Sequence, residues 1–183
     1  EGKLSIEDPV EKHLPEFKGQ WMVEKREGGK LILKRAERAI TIRDLLTHTS
    51  GLANTGTPRH ESTLGELVMS YSKTPLNFEP GSKWSYSNAG INTLGRIVEV
   101  VSGIPFAQFL QQRVLDPCGM KDTTFWPTKE QAKRVAKSYR PDKNGELQQV
   151  KVSFLAGGIS NRKRTPYPAG GLYSTAGDVT RFY

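Results

Sequence analysis

Phe78-Glu-Pro-Gly-Ser-Lys-Trp-Ser-Tyr-Ser-Asn88 runs without a break into Ala89-Gly-Ile-Asn-Thr-Leu-Gly-Arg-Ile-Val-Glu-Val-Val-Ser102. The first half is dense in turn residues and predicts a loop. The second half repeats apolar residues at helical spacing. Ile91, Leu94, Ile97, Val98 and Val101 define its expected buried stripe, and Gly103 is a natural C-cap. A polar loop that feeds the best helix of a chain is a place where side chains are shown to solvent on a rigid base.

Outward from this pair, other elements follow by the same local rules. Thr41 caps a short predicted helix through Leu45 and Leu46, with Asp44 near its positive dipole end. Thr63-Leu-Gly-Glu66 is a capping box, and the helix behind it places Leu64, Leu67, Val68 and Tyr71 on one face up to Pro75. Asp8-Pro9-Val10 predicts a helical turn ending near Leu14-Pro15. Trp21–Arg26 and Lys30–Lys34 flank Gly28-Gly29 as a hairpin. Pro105 opens a helix to about Leu115. Thr128-Lys-Glu-Gln131 caps another, and Lys143–Glu146 reads as a turn before a strand over 147–154. Pro168-Ala-Gly-Gly171 is a loop, after which Thr175 caps a last helix. The expected fold is mainly α with a β-hairpin and short strands.

Composition bounds the function. The 183 residues hold 36% apolar and 25% charged residues, a globular balance. No apolar run reaches the length of a membrane span, so none is expected. Cys118 is the single cysteine, and with only three histidines no zinc site is expected. The net charge is +8. Most of it lies between Lys129 and Arg164, where ten Lys/Arg face three acids. No nucleic-acid-binding motif accompanies this stripe, so a solvated basic face is expected and nucleic acid is not. P-loop and dinucleotide fingerprints are missing, and nothing calls for a cofactor.

Two Ser-x-x-Lys tetrapeptides occur, Ser70–Lys73 and Ser160–Lys163. Thirteen serines and fifteen lysines predict about one match by chance. Lys73 falls opposite the apolar helix face and should be solvated and charged, hence no base. Neither pair is read as catalytic. His48 beside Ser50 is read as a structural residue at a helix end.

Four stretches in fixed order carry a resemblance: Gly2–Val10, Ile42-Arg-Asp-Leu-Leu-Thr-His-Thr-Ser-Gly-Leu52, Phe78–Ala89 and Pro168-Ala-Gly-Gly-Leu-Tyr-Ser-Thr175. Together they resemble the penicillin-recognising serine hydrolases: class C β-lactamases, D-alanyl-D-alanine carboxypeptidases and related esterases. The resemblance spans the chain apart from the hairpin near 20–36 and the basic region 129–164. It implies a serine that attacks an ester, amide or β-lactam carbonyl, with a small-molecule or peptide acyl substrate. Tyr86 would be the proton-shuttling tyrosine. Asn88 would bind the substrate's acyl side chain and hold a lysine. Gly170 and Gly171 would line one cleft wall. The family's own Ser-x-x-Lys falls about twenty residues before the Gly2 segment, and its closing Lys-Thr-Gly or His-x-Gly strand far beyond Gly171.

Residues 1–183 are therefore expected to be a single partial domain, the helical region of an α/β (α+β) β-lactamase-like fold without most of its antiparallel sheet. Such a fragment should be inactive alone, and should self-associate or pair with the segments it lacks. An esterase or peptidase-like member is favoured over a true β-lactamase. The alternative is a catalytically dead binding module or a basic polyanion-binding domain. Localisation is open; family analogy points to a periplasmic or secreted protein.

Overall fold

The computed structural model describes residues 2–54, 62–150, 158, 159 and 161–183. Helices α1 (Ile42–Leu46), α2 (Leu64–Ser72) and α3 (Asn88–Ser102) pack around one core. Thr41 with Asp44 and Thr63 with Glu66 form reciprocal capping boxes, which fix where α1 and α2 begin. Leu64, Leu67, Val68 and Tyr71 are all buried, as the helical spacing requires. Lys73 caps α2, two residues before Pro75. The core joins Val10, Leu14, Phe17, Leu45, Leu52, Leu76 and Ile97 to the α2 face.

The first hairpin pairs β1 (Trp21–Glu27) with β2 (Lys30–Arg35). Gly28 and Gly29 both take positive φ (54° and 77°), the backbone a tight hairpin turn of matching twist needs. Leu76 anchors its base: the Leu76 N–H donates to the Trp21 carbonyl, and the Val23 N–H donates to the Leu76 carbonyl, both at 2.8 Å. A second hairpin joins β3 (Ser138–Pro141) to β4 (Leu147–Val150). The expected strand over 147–154 thus extends to Val150; residues 151–154 lie outside the described residues. Its partner β3 was not visible to a scan for apolar alternation, because it is short, polar and exposed.

Three short helices follow, α4 (Phe106–Leu110), which packs on α3, α5 (Lys129–Lys133) and α6 (Ala176–Phe182). Pro105 sits at the N-cap of α4, which continues as a π-helical turn over Gln111–Leu115. Thr128 and Gln131 form the third capping box. Buried Asp178 ties α6 down by accepting from the Asp122 N–H (2.7 Å) and the Thr123 hydroxyl (2.9 Å).

The expectation of a mainly α fold is not confirmed: among the described residues two hairpins stand beside mostly short helices. The expected stripe of α3 is part of a broader inward face: Ile97 joins the core, and Leu94 and Val101 pack against it. Ile91, Leu94, Val98 and Val101 are half-buried, while Ala89, Gly90, Asn92, Thr93, Gly95 and Ile97 are fully buried. The central helix turns its small residues inward because neighbours approach it closely from several sides.

Candidate active site

The loop 77–87 holds no regular structure and is clasped at both ends. The Asn77 N–H donates to the Gly51 carbonyl and the Gly81 N–H to the Thr49 carbonyl, each at 2.8 Å. Behind it lies an ion pair in which Arg38 meets buried Asp44 through two bonds, Nη1–Oδ2 at 2.6 Å and Nη2–Oδ1 at 2.9 Å. Burial pushes the Asp44 carboxyl up, but the Arg38 guanidinium and the Thr41 amide and hydroxyl together hold it below the usual range. Glu79 of the loop accepts the main-chain N–H groups of Glu37 (2.8 Å) and Arg38 (3.3 Å).

Tyr86, Ser87 and Asn88 end this loop. Ser87 is extended (φ −138°, ψ 110°), so its neighbours point away from it. Its own side chain goes inward and is buried. Its hydroxyl donates to the Leu52 carbonyl and accepts from the Gly90 N–H, both at 3.1 Å, which makes it the N-cap of α3. Tyr86 and Asn88 are thereby displayed together on the outer side. The Tyr86 hydroxyl donates to Asn88 Oδ1 at 2.9 Å. Asn88 is not the cap that its position before a helix suggests, so its amide is left for this contact.

Two residues absent from the sequence-derived site hold the pair in place. His48 adopts a positive φ of 59°, and its Nδ1 accepts from the Ser87 N–H at 3.2 Å. Its ring lies 4.8 Å from the Tyr86 ring and meets Trp84 edge-on at 6.2 Å. The structural reading of His48 fits this geometry, with a more specific role than a helix end: it is the underlay of Tyr86. Asn54 donates to the Tyr86 carbonyl (2.9 Å) and accepts from the Ala89 N–H (3.3 Å).

The Pro168–Gly171 loop lies on the same helix one turn on. Asn92, four residues after Asn88, accepts the Ala169 N–H at 3.0 Å and donates to the Tyr71 hydroxyl at 3.2 Å. Gly95 makes the contact close: a Cβ there would stand 2.0 Å from Pro168 Cγ. Gly171 has φ of 89°, and open space lies where Gly170 would carry a Cβ. Asn88 and Asn92 share a helix face about 6 Å apart along the axis. The Tyr86–Asn88 pair and the glycine loop are therefore set along one side of α3.

Ser70 spends its hydroxyl on the Leu67 carbonyl (2.6 Å), and Lys73 is exposed. Ser160 lies outside the described residues. Among the described residues, no group of His, Cys, Asp and Glu could hold a metal ion, and no helix is long and apolar enough to cross a membrane.

Comparison with known proteins shows the family. The family model described as Beta-lactamase matches residues 1–183, and the chain belongs to that family. It is 33% identical to Protein Rv1367c of Mycobacterium tuberculosis, over 100% of this chain and 47% of that protein. It is 29% identical to Esterase EstB of Burkholderia gladioli, over 98% of this chain and 50% of that one. The solved structure of simvastatin synthase (LovD) from Aspergillus terreus superposes with a TM-score of 0.76 at 25% identity, covering 98% of this chain and 47% of that one. The chain spans about half the length of the curated relatives it matches.

Proposed function

We propose that this chain is the tyrosine side of an acyl-transferring serine hydrolase, acting on the ester or amide carbonyl of a small-molecule or peptide substrate. The observation that carries the reading is the exposed Tyr86–Asn88 pair, bonded at 2.9 Å and backed by His48 and Asn54. In the proposed reaction a serine hydroxyl attacks the carbonyl carbon while Tyr86, as phenolate, takes its proton. The tetrahedral intermediate then expels the alcohol or amine, which leaves with that proton. Water repeats the sequence on the acyl-enzyme and frees the acid.

A phenol has an ordinary pKa near 10 and becomes a base at neutral pH only with cations beside it. The described partner of the Tyr86 hydroxyl is an amide, so the reading requires a lysine from outside these residues, together with the attacking serine. Asn88 holds that lysine through its carbonyl oxygen and offers its NH2 to the acyl side chain. Gly170 and Gly171 line one wall of the cleft. The 183-residue chain by itself is then inactive. An esterase-like activity is favoured over hydrolysis of β-lactams, supported by the name of the relative EstB. A polyanion-binding module is disfavoured, since no nucleic-acid-binding motif accompanies the basic stripe.

The test uses the longer protein that the reading requires. Tyr86→Phe should lower kcat for a nitrophenyl ester by about 10²–10⁴-fold, the usual worth of a positioned acid–base group. Asn88→Ala should mainly raise KM. Unchanged turnover in Tyr86→Phe removes the tyrosine from the mechanism.

A further inference from the structure

The β1–β2 hairpin takes no part in the proposed cleft. Its base is fixed: Met22 is buried in the core, and Leu76 holds Trp21 and Val23 by main-chain bonds. The register places Trp21 opposite Arg35, Val23 opposite Leu33 and Arg26 opposite Leu31 on one face. Met22 opposite Lys34, Lys25 opposite Ile32 and Glu27 opposite Lys30 make the other. Because Met22 enters the core, the first face is turned away from it.

A β-bulge decides what that outer face carries. The register shifts between Val23 and Lys25, leaving Glu24 unpaired. Strict alternation from Val23 would turn Lys25 and Glu27 outward. The extra residue brings Arg26 there instead and sends Lys25 and Glu27 to the other side. The paired positions of the outer face therefore hold Trp21, Val23, Leu31 and Leu33 with two arginines and no acid. Trp21, Leu31 and Leu33 are 46%, 48% and 37% exposed. The Arg35 guanidinium lies 4.0 Å over the Trp21 ring and donates to the Gly19 carbonyl. Neither Arg26 nor Arg35 meets a carboxylate among the described residues, whereas Lys34 on the opposite face pairs with Glu37 at 3.7 Å.

An apolar stripe with one arginine at its base and another near its tip calls for a partner that is apolar within and negative along its whole surface. A second copy would bring the same arginines and be repelled. A small anion would leave the aliphatic side chains in water. A bilayer with anionic lipid has both properties. Leucines enter the acyl boundary, the indole lies at headgroup level, and the long arginine side chains reach the phosphates.

We propose that the outer face of the β1–β2 hairpin is a docking surface for an anionic phospholipid bilayer. Leu76, which anchors the hairpin, leads into the loop that carries Tyr86, so docking sets the orientation of that loop to the lipid.

The experiment is co-sedimentation of the 183-residue chain with vesicles of phosphatidylcholine alone and of phosphatidylcholine with about 30% phosphatidylglycerol. The mixed vesicles should bind and the neutral ones should bind about tenfold less or weaker. Leu31→Ser combined with Leu33→Ser keeps the charge and should weaken binding by about tenfold or more. Ile32→Ser, on the opposite face of the same strand, should leave it nearly unchanged. Arg26→Gln should weaken it by about fivefold. If the leucine double variant fails to fold, quenching of tryptophan fluorescence by brominated lipid carries the test: Trp21→Phe should remove most of the quenching. Equal binding to neutral vesicles, binding unaltered by the leucine changes, or quenching that survives Trp21→Phe overturns the proposal. Self-association lost with the leucines while vesicle binding is kept assigns a second copy, and retention on poly-L-glutamate without vesicle binding assigns an acidic polypeptide; either result also overturns it. No readout involves acyl transfer, so the outcome is separate from that of the proposed hydrolase.

Discussion

Gly95 is where one methyl group decides a contact. In an exposed helix, replacing glycine by alanine stabilises by about 1 kcal/mol. Here the added Cβ would meet Pro168 Cγ at 2.0 Å. Overpacking of this kind costs about 1–3 kcal/mol and displaces the loop. Gly95→Ala should therefore lower the urea midpoint rather than raise it; a rise would mean that the Pro168–Gly171 loop does not sit on α3. Asp44 offers a second test through pH. Its folded carboxyl titrates below the unfolded value of about 3.9, so its contribution is full above that value and is lost as pH falls toward the folded value. Asp44→Asn should cost about 2 kcal/mol at pH 7 and flatten the acid limb of the stability profile below about pH 4. An acid limb as steep as in the parent chain would contradict the Arg38–Asp44 clamp.

At the scale of elements, α3 with the loop before it does the positioning. Ser87 caps the helix, and its extended backbone turns Tyr86 and Asn88 to the same side. Ser87→Ala removes the cap and strands the Gly90 N–H, at a cost of about 1–2 kcal/mol. It should also loosen the Tyr86 ring, read as a weakened nuclear Overhauser contact between Tyr86 and His48; an unaltered contact would show that His48 alone sets the ring. What was legible in the sequence here was local. The capping boxes at Thr41, Thr63 and Thr128 are complete within four residues, and the α2 face follows from one periodicity. Asn54 and Asn92 were not legible. Their partners lie 21 to 77 residues away, and nothing local marks a polar helix residue such as Asn92 for burial. The inward face of α3 is broader than its apolar stripe for a related reason. Large apolar residues do not mark Gly95, although glycine there is what lets Pro168 approach the helix.

For the whole molecule, Leu172, Val179 and Phe182 are exposed and Ile91 and Val98 half-buried, apolar surface left in part to solvent. Exposed patches of this sort drive association. Light scattering should show concentration-dependent assembly of the 183-residue chain, with a monomer at all concentrations as the contrary result. The central proposal is chemical: Tyr86 and Asn88 belong to an acyl-transfer cleft, and the Ser70–Lys73 pair is not a nucleophile and base. Ser70 bonds to the Leu67 carbonyl, and Lys73 is exposed. The most direct measurement is intact-mass analysis of the purified chain after incubation with a fluorophosphonate and with a penicillin probe. The account predicts no covalent adduct with either. A stoichiometric adduct mapped to Ser70, or to any other serine of the chain, would contradict it.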